Sequence, residues 1–232
     1  MRLALYFTPP ADDGLTCAAG QWLLRDPFAD KTLPPAETDG LSAAEHAAAI
    51  ADPQRYGFHA TLKAPFELAA SASPELLIAE AERFAAGYPR FEIPRLVLGQ
   101  LGPFFALVPD APHPPLQNFA AEVVTRFEPF RAPLSESDIS RRKPEQLPPA
   151  QREHLLRWGY PYVFEEFRFH MTLTGPIEES RRAVMHRLLE ARFMDFLNRP
   201  LAISHLAVFV EEERGAPFTV RALFPLKEND PR

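Results

Sequence analysis

A single cysteine, Cys17, in 232 residues leaves no internal disulfide to form and points to a reducing compartment, the cytoplasm. Long apolar runs are missing too. The opening Met1-Arg2-Leu3-Ala4-Leu5-Tyr6-Phe7 is too short for a secretory signal, and no later stretch approaches the ~20 apolar residues that cross a bilayer. A soluble protein with no membrane partner is expected. Positive charge is in deficit, with 25 Lys and Arg against 31 Asp and Glu and a formal net charge of −6. That balance argues against indiscriminate nucleic-acid binding but allows a small phosphorylated substrate held by a few local cations. The chain has no glycine-rich phosphate loop, no G-x-S-x-G turn, no His-x-His and no HExxH, and Glu67, Glu165 and Glu166 have no metal-ligand spacing. P-loop, serine-nucleophile and zinc chemistry therefore lack support, and no metal or cofactor is expected.

Proline is plentiful, 26 residues, and its clusters at 9–10, 34–35, 109–115, 144–149 and 161 mark loops. Between them, Arg2 to Phe7 reads as a strand, Ala18–Leu24 as a short helix and Leu41 to Ile50 as an Ala-rich helix. Ser73-Pro74-Glu75 opens a helix running to about Gly87. Phe91 to Leu98 and Phe104 to Val108 read as a hairpin, and Pro114 to Phe130 as an amphipathic helix.

Two segments are nearly identical: Phe58-His59-Ala60-Thr61-Leu62 and Phe169-His170-Met171-Thr172-Leu173. Each is followed by a helix and a hairpin; after the second come a helix over Ile177 to Asn198 and strands over Leu201 to Val210 and Phe218 to Leu226. A duplicated strand–helix–hairpin unit is the simplest account, because two copies can close on each other's apolar faces. The expected fold is α+β, one bilobed domain over 1–232 with pseudo-twofold symmetry, antiparallel-rich sheets lining a central cleft and helices outside. One lobe covers about 41–130 and the other about 168–228, with the N-terminal strand completing a sheet; 131–167 is an insertion or lid carrying Arg141-Arg142-Lys143-Pro144 and a helix from Ala150 to Trp158.

On a strand, side chains two apart share a face, so His59, Thr61 and Lys63 should line one side, as should His170, Thr172 and Thr174. Breaking a phosphodiester near neutral pH needs a base for the attacking oxygen and an acid for the departing one, and two imidazoles can divide those duties. Thr61 and Thr172 would donate hydrogen bonds to nonbridging oxygens; Lys63, or Arg55 and Arg168 just upstream, would add positive charge. The other histidines, 46, 113, 154, 186 and 205, lack this context and read as structural or surface residues.

With these residues in view, the chain resembles the two-histidine phosphoesterase superfamily, whose members carry two H-Φ-[S/T]-Φ motifs on a bilobed α+β fold. His59-Ala60-Thr61-Leu62 and His170-Met171-Thr172-Leu173 both match. The extended motif from Arg55 to Phe66, with Phe169 to Pro176, resembles the branch associated with bacterial phosphonate utilisation. The resemblance implies hydrolysis of a cyclic phosphodiester, with a ribose or nucleotide cyclic phosphate as substrate. RNA branches imply an RNA end instead, processed as a 2′,3′-cyclic phosphate or joined 2′-5′. Tyr6, Tyr56, Tyr160 and Tyr162 are available to stack on a base. A third reading is a binding protein that keeps the phosphate cleft without turnover. Which histidine is acid and which base, and the oligomeric state, are not set by the sequence.

Overall fold

A computed structural model describes residues 1–35 and 40–228. Its first half runs β1 (Arg2–Phe7), α1 (Gly14–Leu23), β2 (Arg25–Asp26), β3 (Lys31–Thr32), α2 (Ala43–Tyr56), β4 (Ala60–Phe66), α3 (Pro74–Gly87), β5 (Phe91–Ile93), β6 (Leu96–Leu101), β7 (Phe104–Pro109) and α4 (Pro114–Arg126). The second half runs α5 (Glu136–Arg141), α6 (Pro149–Trp158), β8 (Met171–Thr172), α7 (Glu179–Phe193), β9 (Leu201–Ile203), β10 (His205–Glu211) and β11 (Thr219–Pro225).

Helix starts follow local chemistry. Asp13 accepts from the Leu15 amide, Ser42 and Glu45 form a capping box, and Ser73 caps α3 with proline in its first turn. The Ala-rich helix continues past Ile50, through Pro53, to Tyr56. Proline is tolerated there because the Ala49 carbonyl it cannot reach accepts instead from the Gly175 amide at 2.7 Å, which docks the chain after β8 onto α2. Pro94 divides the first expected hairpin arm into β5 and β6, and Ser204 divides Leu201–Val210 into β9 and β10. Freed from the main sheet, β5 and β9 pair with each other.

Seven strands form one antiparallel sheet in the order β11-β10-β1-β4-β8-β7-β6. The mixed helix and antiparallel architecture is the expected class, and the two halves merge in this single sheet by exchanging strands. Hairpin β6–β7 follows β4 in sequence yet pairs with β8; β10 follows β8 yet reaches β4 through β1. Helices exchange likewise, α3 contacting β10 and β11 while α7 contacts β6.

Alternation gives the sheet two faces. Leu3, Leu5, Phe7, Ala60, Met171, Leu107 and Val208 point into the main core with Leu77, Ala81, Phe119, Val123, Leu189 and Phe193 of the helices. Each large side chain buried there contributes about 1.5–3 kcal/mol. Ala4, Tyr6, Ala207, Phe209 and Phe218 form a smaller apolar floor on the opposite face. Among the described residues, no helix is long and apolar enough to cross a membrane.

Candidate functional site

The two motif strands are direct neighbours. Ala60 of β4 pairs with Met171 of β8, and both face the main core. Continuing that antiparallel register by one residue each way sets His59 opposite Thr172 and Thr61 opposite His170, all four on the other face. The two imidazoles thus lie on a diagonal whose side chains originate roughly 7–8 Å apart, with a threonine beside each.

Both rings are held in the same way. His59 Nδ1 lies 2.9 Å from the Gly57 carbonyl and His170 Nδ1 lies 2.7 Å from the Arg168 carbonyl, each two residues upstream. A carbonyl only accepts, so Nδ1 carries the proton when the ring is neutral and Nε2 presents a lone pair. Thr61 Oγ1 sits 3.3 Å from His59 Nε2. The Gly57 carbonyl owes its direction to φ +72° and ψ 179°, a conformation left to glycine, and a Cβ there would lie 2.8 Å from the Pro27 ring.

Surroundings separate the copies. Tyr6, paired with Thr61 across β1, stacks on His59 with centroids 3.9 Å apart and planes at 20°, while Tyr56 and Phe209 stand 6.0 and 5.9 Å away. The position related to Tyr6 by the pseudo-twofold is Ala106, paired with Thr172; the ring near His170 is Phe104, at 6.0 Å. Burial pushes the His59 imidazolium down to about 4, opposed by the Gly57 carbonyl and reinforced by charge on His170. His170 is also lowered by burial, against the pull of the Arg168 carbonyl.

Lys63 does not share the cleft face, contrary to the alternation read from the sequence. Tyr6 pairs with Thr61 but Leu5 pairs with Lys63, so β4 bulges by one residue and reverses its alternation. Lys63 is turned into the interior, where Nζ donates to Glu128 Oε2 at 2.7 Å and to the Val124 carbonyl at 3.1 Å. The second copy bulges at the matching place. The Phe105 carbonyl accepts from the amides of both Leu173 and Thr174, while Thr174 Oγ1 accepts from the Phe105 amide at 3.0 Å. Thr174 is fully buried although it touches the cleft wall.

A cleft of about 730 Å³ opens over this array. His59, Thr61, Thr172, Tyr6, Tyr56, Tyr160 and Phe104 line it; His170 adjoins Phe104 outside that lining. Arg55 also lines it, from the last turn of α2 rather than from a strand, and its guanidinium bonds to Glu211 and to the Ala216 carbonyl. Tyr162 is exposed and packs edge-on against Tyr160 at 5.5 Å instead of lining the cleft. Arg168 is exposed and contributes its carbonyl, as above. Arg2, Arg141 and Arg142 on the cleft wall were not singled out by the motif argument, although the Arg141-Arg142-Lys143 run was visible as a charged stretch. Among the described residues, no group of three or more His, Cys, Asp or Glu is arranged to hold a metal ion.

Residues 61–219 match the family model described as a protein of unknown function, DUF1045. The chain belongs to the DUF1045 family. The match begins two residues after His59 and takes in Thr61, His170 and Thr172. Two curated relatives, from Janthinobacterium sp. (strain Marseille) and Laribacter hongkongensis (strain HLHK9), are 36% and 34% identical over 221 and 219 residues. Both are named ribose 1,5-bisphosphate phosphokinase PhnN. The alignments cover 94% of this chain in each case, and 49% and 50% of the relatives, so this DUF1045 chain spans about half the length of the curated relatives it matches. Among solved structures, it is similar to TT0787 of Thermus thermophilus, at 16% identity and TM-score 0.48, covering 99% of this chain and 100% of that one. E. coli LigT complexed with 3′-AMP aligns at 14% identity and TM-score 0.43, covering 97% of each. Superpositions this loose carry no residue-level argument, and the site stands on its own geometry.

Proposed function

We propose that this chain is a two-histidine phosphoesterase that hydrolyses a small cyclic phosphodiester of the ribose or nucleotide cyclic phosphate class, in phosphonate breakdown as its motif resemblance implies. The observation that carries the reading is the paired register of the two motifs, which supports a phosphoryl group between two Nε2 atoms with a threonine hydroxyl on either side. His59 is the general base. It is the more strongly desolvated ring, stays neutral at pH 7, and a proton on His170 further disfavours one on His59. His170, the less strongly shifted ring, is the general acid and acts as the imidazolium, a state that burial disfavours and the negative charge of a bound phosphodiester favours.

In the proposed step a water oxygen attacks phosphorus while His59 Nε2 takes one of its protons. The P–O bond to the leaving ribose oxygen breaks, and that oxygen receives the proton held on His170 Nε2. The products are a phosphomonoester and a free hydroxyl, and a second proton exchange through solvent resets the pair. Thr61 and Thr172 donate to the nonbridging oxygens as charge builds on them.

The name of the two relatives refers to a phosphorylated ribose, which favours a ribose phosphate over an RNA end. The kinase activity in that name is not carried over, since this chain matches half of each relative and contains no GxxxxGK[ST] loop.

The test is hydrolysis of a 2′,3′-cyclic mononucleotide in EDTA by the unmodified chain and by His59→Ala and His170→Ala. Turnover that either substitution reduces at least a hundredfold is expected. Full activity in both variants overturns the mechanism, and reversible loss in EDTA overturns its independence of metal. Cleavage confined to oligonucleotides ending in a cyclic phosphate would make the chain an RNA end-processing enzyme; binding without turnover would make it a binding protein.

A further inference from the structure

The insertion over 131–167 brings a cation to the cleft that nothing in the acid–base reading uses. Arg142, at the C-terminal cap of α5, lines the same cleft as His59 and Thr172 and lies over the Tyr160 ring with its guanidinium carbon 5.0 Å from the centroid. The other cleft arginines have carboxylate partners. Arg2 and Arg55 both bond Glu211, and Arg141 bonds Asp138 at 2.6 Å. Asp138 is further engaged by both terminal nitrogens of Arg214, each at 2.9 Å. Among the described residues, Arg142 forms no ion pair or hydrogen bond with a carboxylate. Its like-charged neighbours are Arg141 and Arg2, and the Asp138 charge opposes them.

A half-buried guanidinium on a cleft wall with no carboxylate partner of its own is an arrangement that an anion completes. Tyr160, Tyr56 and Tyr6 line one cleft, and Tyr6 lies flat against His59. Arg142, stacked over Tyr160, thus shares one cleft with the ring that holds His59. At about 730 Å³, the cleft is far larger than one phosphoryl group needs.

We propose that Arg142, presented over Tyr160, anchors a second anion subsite, and that the substrate turned over by the histidine pair carries a second phosphoryl group, a monoester bound there. The inference rests on the phosphoesterase reading for the first phosphate and extends it to the rest of the molecule. Arg142 offers a planar fork to two oxygens of a phosphate, and the Tyr160 hydroxyl is a further donor. The insertion thus acts in substrate selection, leaving proton transfer to the strands.

Two measurements on the full chain test this. The first compares kcat/KM for adenosine 2′,3′-cyclic phosphate with and without a 5′-phosphate. The unmodified chain is expected to favour the 5′-phosphorylated compound at least tenfold; Arg142→Ala should reduce that ratio to near one and Arg142→Lys to an intermediate value. Arg83→Ala, on an exposed helix face outside the cleft, should keep the full ratio. The second measures calorimetric binding of adenosine 3′-monophosphate and adenosine 3′,5′-bisphosphate to His59→Ala, with and without Arg142→Ala. The affinity gained from the second phosphate should persist in His59→Ala and vanish in the double variant. No preference for the second phosphate in either measurement, or a preference that survives removal of Arg142, overturns the subsite. If no cyclic compound is hydrolysed but the Arg142-dependent gain in binding remains, the phosphoesterase reading falls and the subsite stands. Thermal unfolding of each Arg142 variant checks that lost preference is not lost folding.

Discussion

His59 lies flat on Tyr6 and is ringed by Tyr56 and Phe209, whereas His170 has Phe104 near it and Ala106 where symmetry would put a second tyrosine. Five nearly repeated residues thus arrive in two unlike environments. Both copies keep the backbone device that fixes the ring, a bond from Nδ1 to the carbonyl two residues back. Orientation is duplicated and basicity is not. On the proposed mechanism, the neighbouring strands, more than the motif itself, would divide the proton-handling labour between the copies.

The sharpest way to break this comparison is to remove each ring and vary the leaving group. Losses in kcat/KM of about 10²–10⁴ are expected for His59→Ala and His170→Ala on a ribose cyclic phosphate. On an activated p-nitrophenyl phosphodiester the His170→Ala loss should shrink to less than tenfold while the His59→Ala loss persists, because nitrophenolate departs without an acid. The reverse pattern would exchange the two roles. Next in size is Gly57→Ala. A Cβ 2.8 Å from Pro27, at positive φ, should destabilise the fold by about 1–3 kcal/mol in denaturant unfolding and turn the carbonyl away from His59.

Tyr6→Leu sharpens the comparison by making the first copy resemble the second. Loss of the stacked ring should let water reach His59, so its midpoint, followed by NMR of the imidazole protons, rises from about 4 toward the ordinary 6.5. The acidic limb of kcat/KM should move up with it. A midpoint that stays put would show that Tyr6 does not set the desolvation. Smallest is a pH effect on stability. The folded His59 resists protonation and the unfolded one does not, so the unfolded state binds more protons between about 6.5 and about 4, and stability falls as pH drops through that window. His59→Phe should flatten this slope in denaturant titrations at pH 7, 6, 5 and 4.

The α+β class, the capped helices and the histidine–threonine pairs were legible because each depends on residues close in sequence. Ser73 with Pro74 announces its helix within two residues. The interleaving of the halves was not legible, since β7 choosing β8 over β4 is a long-range pairing that no local pattern encodes. Lys63 was misplaced for a related reason: period-two alternation holds only in an unbroken ladder, and the bulge against β1 depends on a strand more than fifty residues away. Arg142 was hidden because a basic run in an insertion looks like any solvated face until the cleft it borders is seen. The helix expected to end at Ile50 runs on through Pro53 to Tyr56, the hydrogen bond lost at the proline being replaced by one from Gly175, far along the chain.

The exchanged strands have a consequence for how the chain comes to life. Severed between residues 167 and 168, neither fragment could zip its own histidine strand against its own hairpin, because β4 needs β8 as a neighbour and β8 needs β7. A nascent chain halfway out of the ribosome would hold one imidazole on a raw sheet edge with nothing to oppose it. Competence for chemistry should therefore appear abruptly, with the last long-range strand pairing, and not grow in proportion to the length synthesised.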